Sequence, residues 1–410
     1  MAIYRVKRTR QDGSVRIRYQ ADAGEDPVTS KRRRKKFEKR ADAVAWLRGK
    51  TEAKEQGKAG VTVADLGELL ARDREAVGRE RSTWSKYEEH FRNHINVIVL
   101  SAGDLQGTTL GALDVGRLSP RHLVQFRAEL SKTRSHAMAK RVWSTLSMAL
   151  DHAVAIEART DNPCWSVKID RKPREAADPD RNAKIPPREH IRAIHDALRV
   201  RPLEAPTLGA AFLLTMLGSG ARPSELRALA VPQLVLEGAA PKLTVAARAD
   251  QWGEIGAPKS ASGWREIPLP LSAAAMLKRW LAARPRPGEG ETWSRDLVFP
   301  TATGHVQNAA NLHNRVWVPL MKALGFAKDT GRRNDAGQPI LETLYPVYSL
   351  RHAYASIQID IGIDPKTLQH RMGHASIKQT LDTYGHLFDR RPDRDAADMA
   401  AIESWLAEKA

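Results

Sequence analysis

Apolar residues recur along this chain at two different spacings. Near the N-terminus the spacing is two. Tyr4 and Val6 alternate with polar neighbours, and Val15, Ile17 and Tyr19 alternate with Arg16, Arg18 and Gln20. Asp12-Gly13 between these runs is a hairpin signal. The pattern predicts a pleated ribbon with one apolar and one cationic face. Residues 41–56 read as a helix on that ribbon, with Val44 and Leu47 facing inward and Trp46 partly so. From Thr62 onward the spacing becomes three and four. Thr62 caps a helix that carries Val63, Leu66, Leu69 and Leu70 on one stripe. A second helix starts near Ser82 with Trp84, Tyr87, Phe91 and Ile95. Ser119-Pro120 opens a third, with Leu123, Phe126 and Leu130 on one face. A long helix over 135–157 carries Val142, Leu146 and Leu150.

These spacings predict a β module with a helix over 1–58 and a helical domain over 61–165. Residues 166–186 are charged and proline-bearing and read as a linker. Helical patterning resumes at 188–199 and 206–217. A hairpin-like region follows, with Leu243 and Val245 in one strand and Trp264 to Leu269 in the other. Further helices are expected at about 271–284, 308–324, 350–361, 364–371 and 375–383, within a third domain over 187–395. Residues 331–339, GRRNDAGQP, read as a polar loop. A tail helix over 396–410 places Met399, Ile402, Trp405 and Leu406 on one face. The fold class expected is mainly α with small β elements (α+β).

Charge narrows the range of partners. Lys and Arg total 66 against 48 Asp and Glu among 410 residues, a formal net charge of +18. That balance favours a polyanion, nucleic acid before membrane. The run KRRRKKFEKR over 31–40 adds a basic cluster beside the ribbon. In the helical domain Arg81, Lys86, Arg92, Arg134, Lys140 and Arg141 are candidates for phosphate contacts. Cys164 is the only cysteine, which excludes an intramolecular disulfide and any multi-cysteine zinc site, and fits a reducing cytoplasm. No apolar run approaches the ~18 residues that a membrane span needs. The N-terminus lacks the apolar stretch of a secretory signal.

The chemistry gathers towards the C-terminal end. Gly218-Ser219-Gly220-Ala221-Arg222-Pro223-Ser224-Glu225 turns tightly from one helix into another and presents Arg222 at a helix start, a region that favours anions. Tyr348-Ser349-Leu350-Arg351-His352 repeats that logic with Arg351, on a helix backed by Ala353, Ala355 and Ile357. Two guanidiniums can grip both non-bridging oxygens of one phosphate and favour the added charge of a pentacoordinate transition state. Lys259 precedes the strand Arg265-Glu266-Ile267-Pro268-Leu269, and a lysine at a hairpin tip can reach an adjacent cleft. His374 follows Met372-Gly373, and Tyr384 lies ten positions later. A phenol held beside cations that bind a phosphate can attack phosphorus and form a covalent ester.

Taken together, GARPSEL, PKSASGWREIPL, YSLRH and MGHASIKQTLDTYGH resemble the tyrosine recombinases, in particular the phage-type integrases. The resemblance implies a multi-domain DNA clamp: an N-terminal module for arm-type sites, a helical core-binding domain and a catalytic domain. It implies a catalytic set of Arg222, Lys259, Tyr348, Arg351, His374 and Tyr384. Tyr384 would form a 3′-phosphotyrosyl bond, with Lys259 as the acid for the leaving 5′ oxygen. At Tyr348 the family usually carries histidine. Glu225 would orient its neighbours, and His352 and His386 would be structural. The resemblance implies no cofactor and no metal, because the arginines supply the positive charge. The partners it implies are double-stranded DNA attachment sites, a homotetramer on DNA, a DNA-bending host factor and a directionality factor. It places the protein in the cytoplasm, at the bacterial nucleoid. A DNA-binding regulator on the same scaffold and a type IB-like topoisomerase are the alternative functions.

Overall fold

The computed structural model describes residues 2–9, 15–25, 32–44, 46, 60–101, 106–169, 185–199, 207–289, 292–388, 399–400 and 402–404. The chain divides into two compact units, Met1–Glu175 and Ala176–Ala410.

The first unit opens with an antiparallel sheet of β1 (Ala2–Thr9), β2 (Val15–Glu25) and β3 (Arg32–Phe37), in that order. β1 and β2 pair from Thr9↔Val15 to Ala2↔Asp22, so the alternating runs are strands. Asp12-Gly13 lies outside the described residues. The basic run is itself an edge strand, with Phe37 opposite Tyr19 and Lys35 opposite Ala21. Lysines and arginines on an edge discourage pairing with foreign strands. Residues 40–44 are helical. Val44 is 38% exposed, contrary to expectation, while Ala43 and Ala21 are fully buried. Small residues at those two positions fit a close approach of helix to sheet. Trp46 packs near Phe37, with ring centroids 5.8 Å apart. Leu47 lies outside the described residues.

Four helices follow: α1 (Val63–Ala76), α2 (Arg81–His90), α3 (Pro120–Thr133) and α4 (His136–Ala155). Thr62 caps α1, and the Asp65 carboxylate accepts from the Thr62 amide at 2.7 Å. α2 runs on through a π turn, Phe91–Ile95, which keeps Phe91 and Ile95 pointed inward. The expected stripes form the core: Val63, Leu66, Leu70, Phe126, Val142 and Leu146 are buried in one cluster. Cys164 packs against the same cluster, and burial, helped by Asp151, pushes its thiol up to about 12. A thiol held so far from ionisation is inert.

The second unit is built on α6 (Leu208–Ser219), which follows α5 (Arg188–Arg199) and is buried on nearly all sides. A short helix, α7 (Pro223–Arg227), comes next. A three-stranded sheet has the order β4 (Leu234–Val235), β5 (Lys242–Val245) and β8 (Arg265–Pro268). Leu243 faces Ile267 across it, both fully buried. Between β5 and β8 the chain forms a second, two-residue ladder of β6 (Arg248–Ala249) and β7 (Ile255–Gly256). α8 (Leu271–Ala283) leads to α9 (Ala309–Leu312), a π turn over His313–Trp317 and α10 (Val318–Ala323). The helix expected at 308–324 is therefore interrupted.

The expected polar loop at 331–339 is part of a hairpin. β9 (Ala327–Arg333) pairs with β10 (Pro339–Thr343), and the Asn334 side chain accepts from the Gln338 amide at 2.8 Å across the turn. Apart from Ala327, Leu341 and Thr343, which are partly buried, both strands are exposed, so no apolar alternation marked them. The unit closes with α11 (Ser349–Asp360), α12 (Pro365–Met372) and α13 (Ile377–Phe388). α6 packs against α8 and α11. Among the described residues no helix is long and apolar enough to cross a membrane.

Candidate active site

Two left-handed glycines set the frame. Gly220 ends α6 at φ 63° and Gly373 ends α12 at φ 61°. At both positions glycine is required by contact as well as conformation. A Cβ on Gly220 would meet the Tyr354 ring at 2.3 Å, and one on Gly373 would meet the Arg265 guanidinium at 2.7 Å. The two turns are stitched to each other by the arginines that the sequence singled out. Arg351, 1% exposed at the start of α11, donates to the Gly220 and Met372 carbonyls. Arg222, at the start of α7, donates to the Gly373 carbonyl at 3.4 Å. Residues more than a hundred positions apart thus converge on one place.

Glu225 anchors that place. Its carboxylate accepts from the Arg222 amide and guanidinium, each at 2.8 Å, and from Arg265 at 2.8 and 3.3 Å. Burial raises the Glu225 pKa, but hydrogen bonding and charge from Arg265, then Arg222 and Arg351, outweigh it and hold the carboxyl ionised. Burial likewise opposes the Arg222 charge, and Glu225 and Tyr348 more than compensate. Among the described residues no carboxylate pairs directly with Arg351, and burial lowers it to about 10. It therefore stays cationic at neutral pH with little water around it, which strengthens its pull on an anion.

His374 and Tyr384 complete the cluster. His374 is 6% exposed, and its Nδ1 is 2.9 Å from the buried Thr380 hydroxyl. Burial, with Arg351 and Arg222, holds the imidazole neutral at about 3. Tyr384 on α13 is 1% exposed, its ring parallel to that of His374 with centroids 6.5 Å apart. Burial raises its phenol above the ordinary value. Tyr348 is 37% exposed beside Arg222, at the rim. Lys259 is exposed on the loop between β7 and β8, and among the described residues no hydrogen bond or ion pair joins it to Arg222, Arg351, His374 or Tyr384. The structure brings together Arg222, Arg351, His374 and Tyr384, with Tyr348 at their edge, and leaves Lys259 outside.

Three further residues belong to this arrangement. Arg265, its side chain fully buried, ties β8 to Glu225, to the Gly263 carbonyl and to the Arg371 carbonyl at 2.8 Å. It connects the loop of Lys259, the turn of Arg222 and the turn of His374. Its signal in the sequence is its place in register with Ile267 on the inward face of β8. Thr380 fixes the His374 ring. His352, expected to be structural, lies with its Nδ1 2.8 Å from the Tyr384 hydroxyl. Its signal is adjacency to Arg351 and a spacing of one helical turn from Tyr348. His386 lies elsewhere, in a groove of about 1170 Å³ lined also by Ile191, Leu217, Ile357 and Ile361. Ile357, expected to back α11, is 36% exposed to that groove. Among the described residues no group of His, Cys, Asp and Glu stands ready to hold a metal ion.

Comparison with known proteins gives a consistent picture. The model of the phage integrase family matches residues 187–391. The transposase from transposon Tn916 of Enterococcus faecalis is 30% identical over 179 residues, 42% of this chain and 41% of that protein, so the chain spans under half of that relative's length. A tyrosine recombinase XerC-like protein of Caldanaerobacter subterraneus is 24% identical over 81% of both chains. Among solved structures, the integrase of transposon Tn1549 bound to transposon right-end DNA superposes with a TM-score of 0.58 at 20% identity, over 84% of this chain and all of that one. A lambda integrase dimer bound to a core site gives 0.51 at 16% identity, over 94% and 95%. At these identities the likeness establishes the fold.

Proposed function

This chain belongs to the phage integrase family, and on that premise we propose that it is a site-specific DNA recombinase that moves a phage or other mobile element through a 3′-phosphotyrosyl intermediate. The observation that carries the proposal is the convergence of the half-buried Arg222 and the buried Arg351 and His374 around Tyr384. The two guanidiniums bind the non-bridging oxygens of the scissile phosphate and stabilise the charge that builds on them. Their backbone and carboxylate tethers hold them in place before DNA arrives, so little reorganisation is needed at the transition state. The neutral His374, with Nδ1 occupied by Thr380, offers its other nitrogen to the phosphate. Tyr348 takes the remaining phosphate-side position beside Arg222. Tyr384 Oη attacks phosphorus, and the 5′ oxygen leaves with a proton from Lys259. An exposed lysine on a loop can swing inward once a duplex lies against it.

In this reading the β module of residues 1–58 grips arm-type sites and the helices of 61–165 hold the core site. Arg81, Lys86, Arg92, Arg134, Lys140 and Arg141 are all exposed, as phosphate contacts require. The working assembly is a homotetramer on two double-stranded attachment sites, served by a DNA-bending host factor and a directionality factor, at the bacterial nucleoid. The tail of one copy docks on a neighbour. Met399 and Ile402 are 56% and 49% exposed, and the groove beside α11 exposes Ile361. Trp405 and Leu406 lie outside the described residues. Deleting 396–410 should weaken cooperative assembly on DNA, as read by gel shift. Unchanged assembly would remove the tail from the proposal.

The central test uses nicked suicide DNA carrying an attachment sequence taken from beside the gene. Wild type should leave a covalent protein–DNA adduct on a denaturing gel, and Tyr384→Phe should bind the DNA but leave none. A gel shift without an adduct in wild type would favour a DNA-binding regulator. Relaxation of plasmids irrespective of a cognate site would favour a topoisomerase.

A further inference from the structure

A phenol that attacks phosphorus must lose its proton, and burial holds the Tyr384 phenol above its ordinary pKa. It therefore needs an acceptor within hydrogen-bonding reach. The arginines that frame the site cannot accept a proton from it, because a guanidinium has only donors. His374 has its Nδ1 engaged by Thr380, and no hydrogen bond joins it to Tyr384. His352 is the group in contact, with Nδ1 2.8 Å from Tyr384 Oη.

Two tyrosine rings neighbour the imidazole of His352. The Tyr348 ring, one turn earlier on α11, packs edge-on against it at 5.2 Å and 71°. The Tyr384 ring is tilted at 58° to it, with centroids 5.8 Å apart. Burial and the neighbouring Arg351 lower its pKa to about 4. At neutral pH it is uncharged, and in its Nε2–H tautomer the Nδ1 lone pair accepts the phenolic hydrogen. Tyrosine at position 348 thus removes an imidazole from the phosphate side, while the next position on the same helical face sets one beside the nucleophile.

We propose that His352 is the base that takes the Tyr384 proton in the cleavage step, an inference that rests on the recombinase reading above. The Oη–H bond breaks and its proton passes to His352 Nδ1. The Oη–P bond forms, the P–O5′ bond breaks, and the leaving oxygen takes a proton from the acid on the other side of the phosphate, assigned to Lys259. In rejoining, the imidazolium returns its proton to the departing phenolate while the incoming 5′ hydroxyl gives one up. Protons and electron pairs balance in both directions.

The test uses the full chain on two nicked DNAs, one with an ordinary scissile phosphodiester and one with sulfur in place of the bridging 5′ oxygen. A thiolate leaves without help from an acid. In His352→Gln the amide can still hydrogen-bond the phenol but cannot take its proton. Adduct formation should fall by about 10²–10³-fold, the scale of a lost base, while DNA binding by gel shift stays at the wild-type level, and sulfur should not restore it. Lys259→Ala should also be slow on the ordinary DNA and be restored by sulfur. Should the glutamine variant fail to fold, His352→Asn carries the same expectations. Cleavage by the folded variant within about threefold of wild type would reduce His352 to a structural or positioning role. Restoration by sulfur would move it to the leaving-group side. An adduct missing from wild type itself would instead overturn the recombinase reading, a result that the variants cannot mimic.

Discussion

The cations around Tyr384 and the candidate phosphate contacts on the helices of the first unit are held in opposite ways. Around Tyr384, Arg351 and Arg265 are buried, and each guanidinium is committed to named carbonyls or to Glu225. In the helical part of the first unit, Lys86, Arg92, Lys140 and Arg141 are exposed. The difference follows from what each must do. A reacting phosphate has to be met by donors already in position, because reorientation during the reaction raises the barrier. A DNA backbone needs only neutralising charge, which flexible side chains supply as they displace counterions. Buried cations are therefore costly to disturb and exposed ones are cheap.

The widest separation between the two regions should appear in stability. Arg265→Ala removes one partner of a buried ion pair and leaves Glu225 short of a donor, a change that costs about 3–5 kcal/mol. Lys140→Ala on the exposed face should stay within about 0.5 kcal/mol of wild type. Urea unfolding of the full chain, followed by a probe in the second unit, measures both. A loss below about 1 kcal/mol for Arg265→Ala would mean that the network is not what fixes the site. Arg265→Lys should recover little, since one ammonium cannot reach Glu225 and two carbonyls in the fork geometry of a guanidinium.

The same contrast explains how much of the molecule is legible in its sequence. The helical stripes of the first unit were readable because each buries one face, and Leu66, Phe126 and Leu146 stand where their spacing placed them. Arg222, Arg351 and His374 are readable because each sits in a short motif at a helix end, and Tyr384 because it stands in the TLDTYGH motif that follows them. Arg265 is not marked in the sequence because its partner Glu225 lies forty positions off, and Thr380 is not because its bond to His374 forms only once the turn after α12 brings the two together. His352 reads as structural because histidines usually pack, and only the fold brings α13 against α11 to set a phenol beside it. The β9–β10 ribbon escaped because most of its residues face solvent on both sides, so alternation had no meaning there.

On DNA the order reverses, and the exposed cations should dominate the salt response. Lys86→Ala and Arg141→Ala should each lower the slope of log affinity against log salt by about 1. Adduct formation at saturating DNA should not change, because neither residue belongs to the Tyr384 cluster. Titrations across a range of salt, paired with single-turnover cleavage, separate the two effects. A fall in the saturated cleavage rate would show that the two regions are coupled through the bound DNA.

The finest distinction lies in the histidines, which are neutral in both regions for related reasons. His352 and His374 are lowered by burial and neighbouring arginines to about 4 and about 3. His90 is also lowered, by burial and then by His94, and less strongly. A histidine whose folded-state pKa lies below its unfolded value takes up a proton on unfolding, so stability rises with pH between the two values. The contribution is intact above the ordinary value of 6.5 and is lost as pH falls towards about 4 for His352 and about 3 for His374. His352→Gln should therefore flatten the acid limb of a melting-temperature profile between pH 6.5 and 4, and His90→Gln should flatten it less. Arg351 and Arg222 keep their charge throughout that window, so the difference between each variant and wild type reports the imidazole removed. Equal flattening by the two variants would mean that burial alone sets these pKa values, and that the fixed guanidiniums of the second unit exert no more field on their neighbours than the exposed cations near His90.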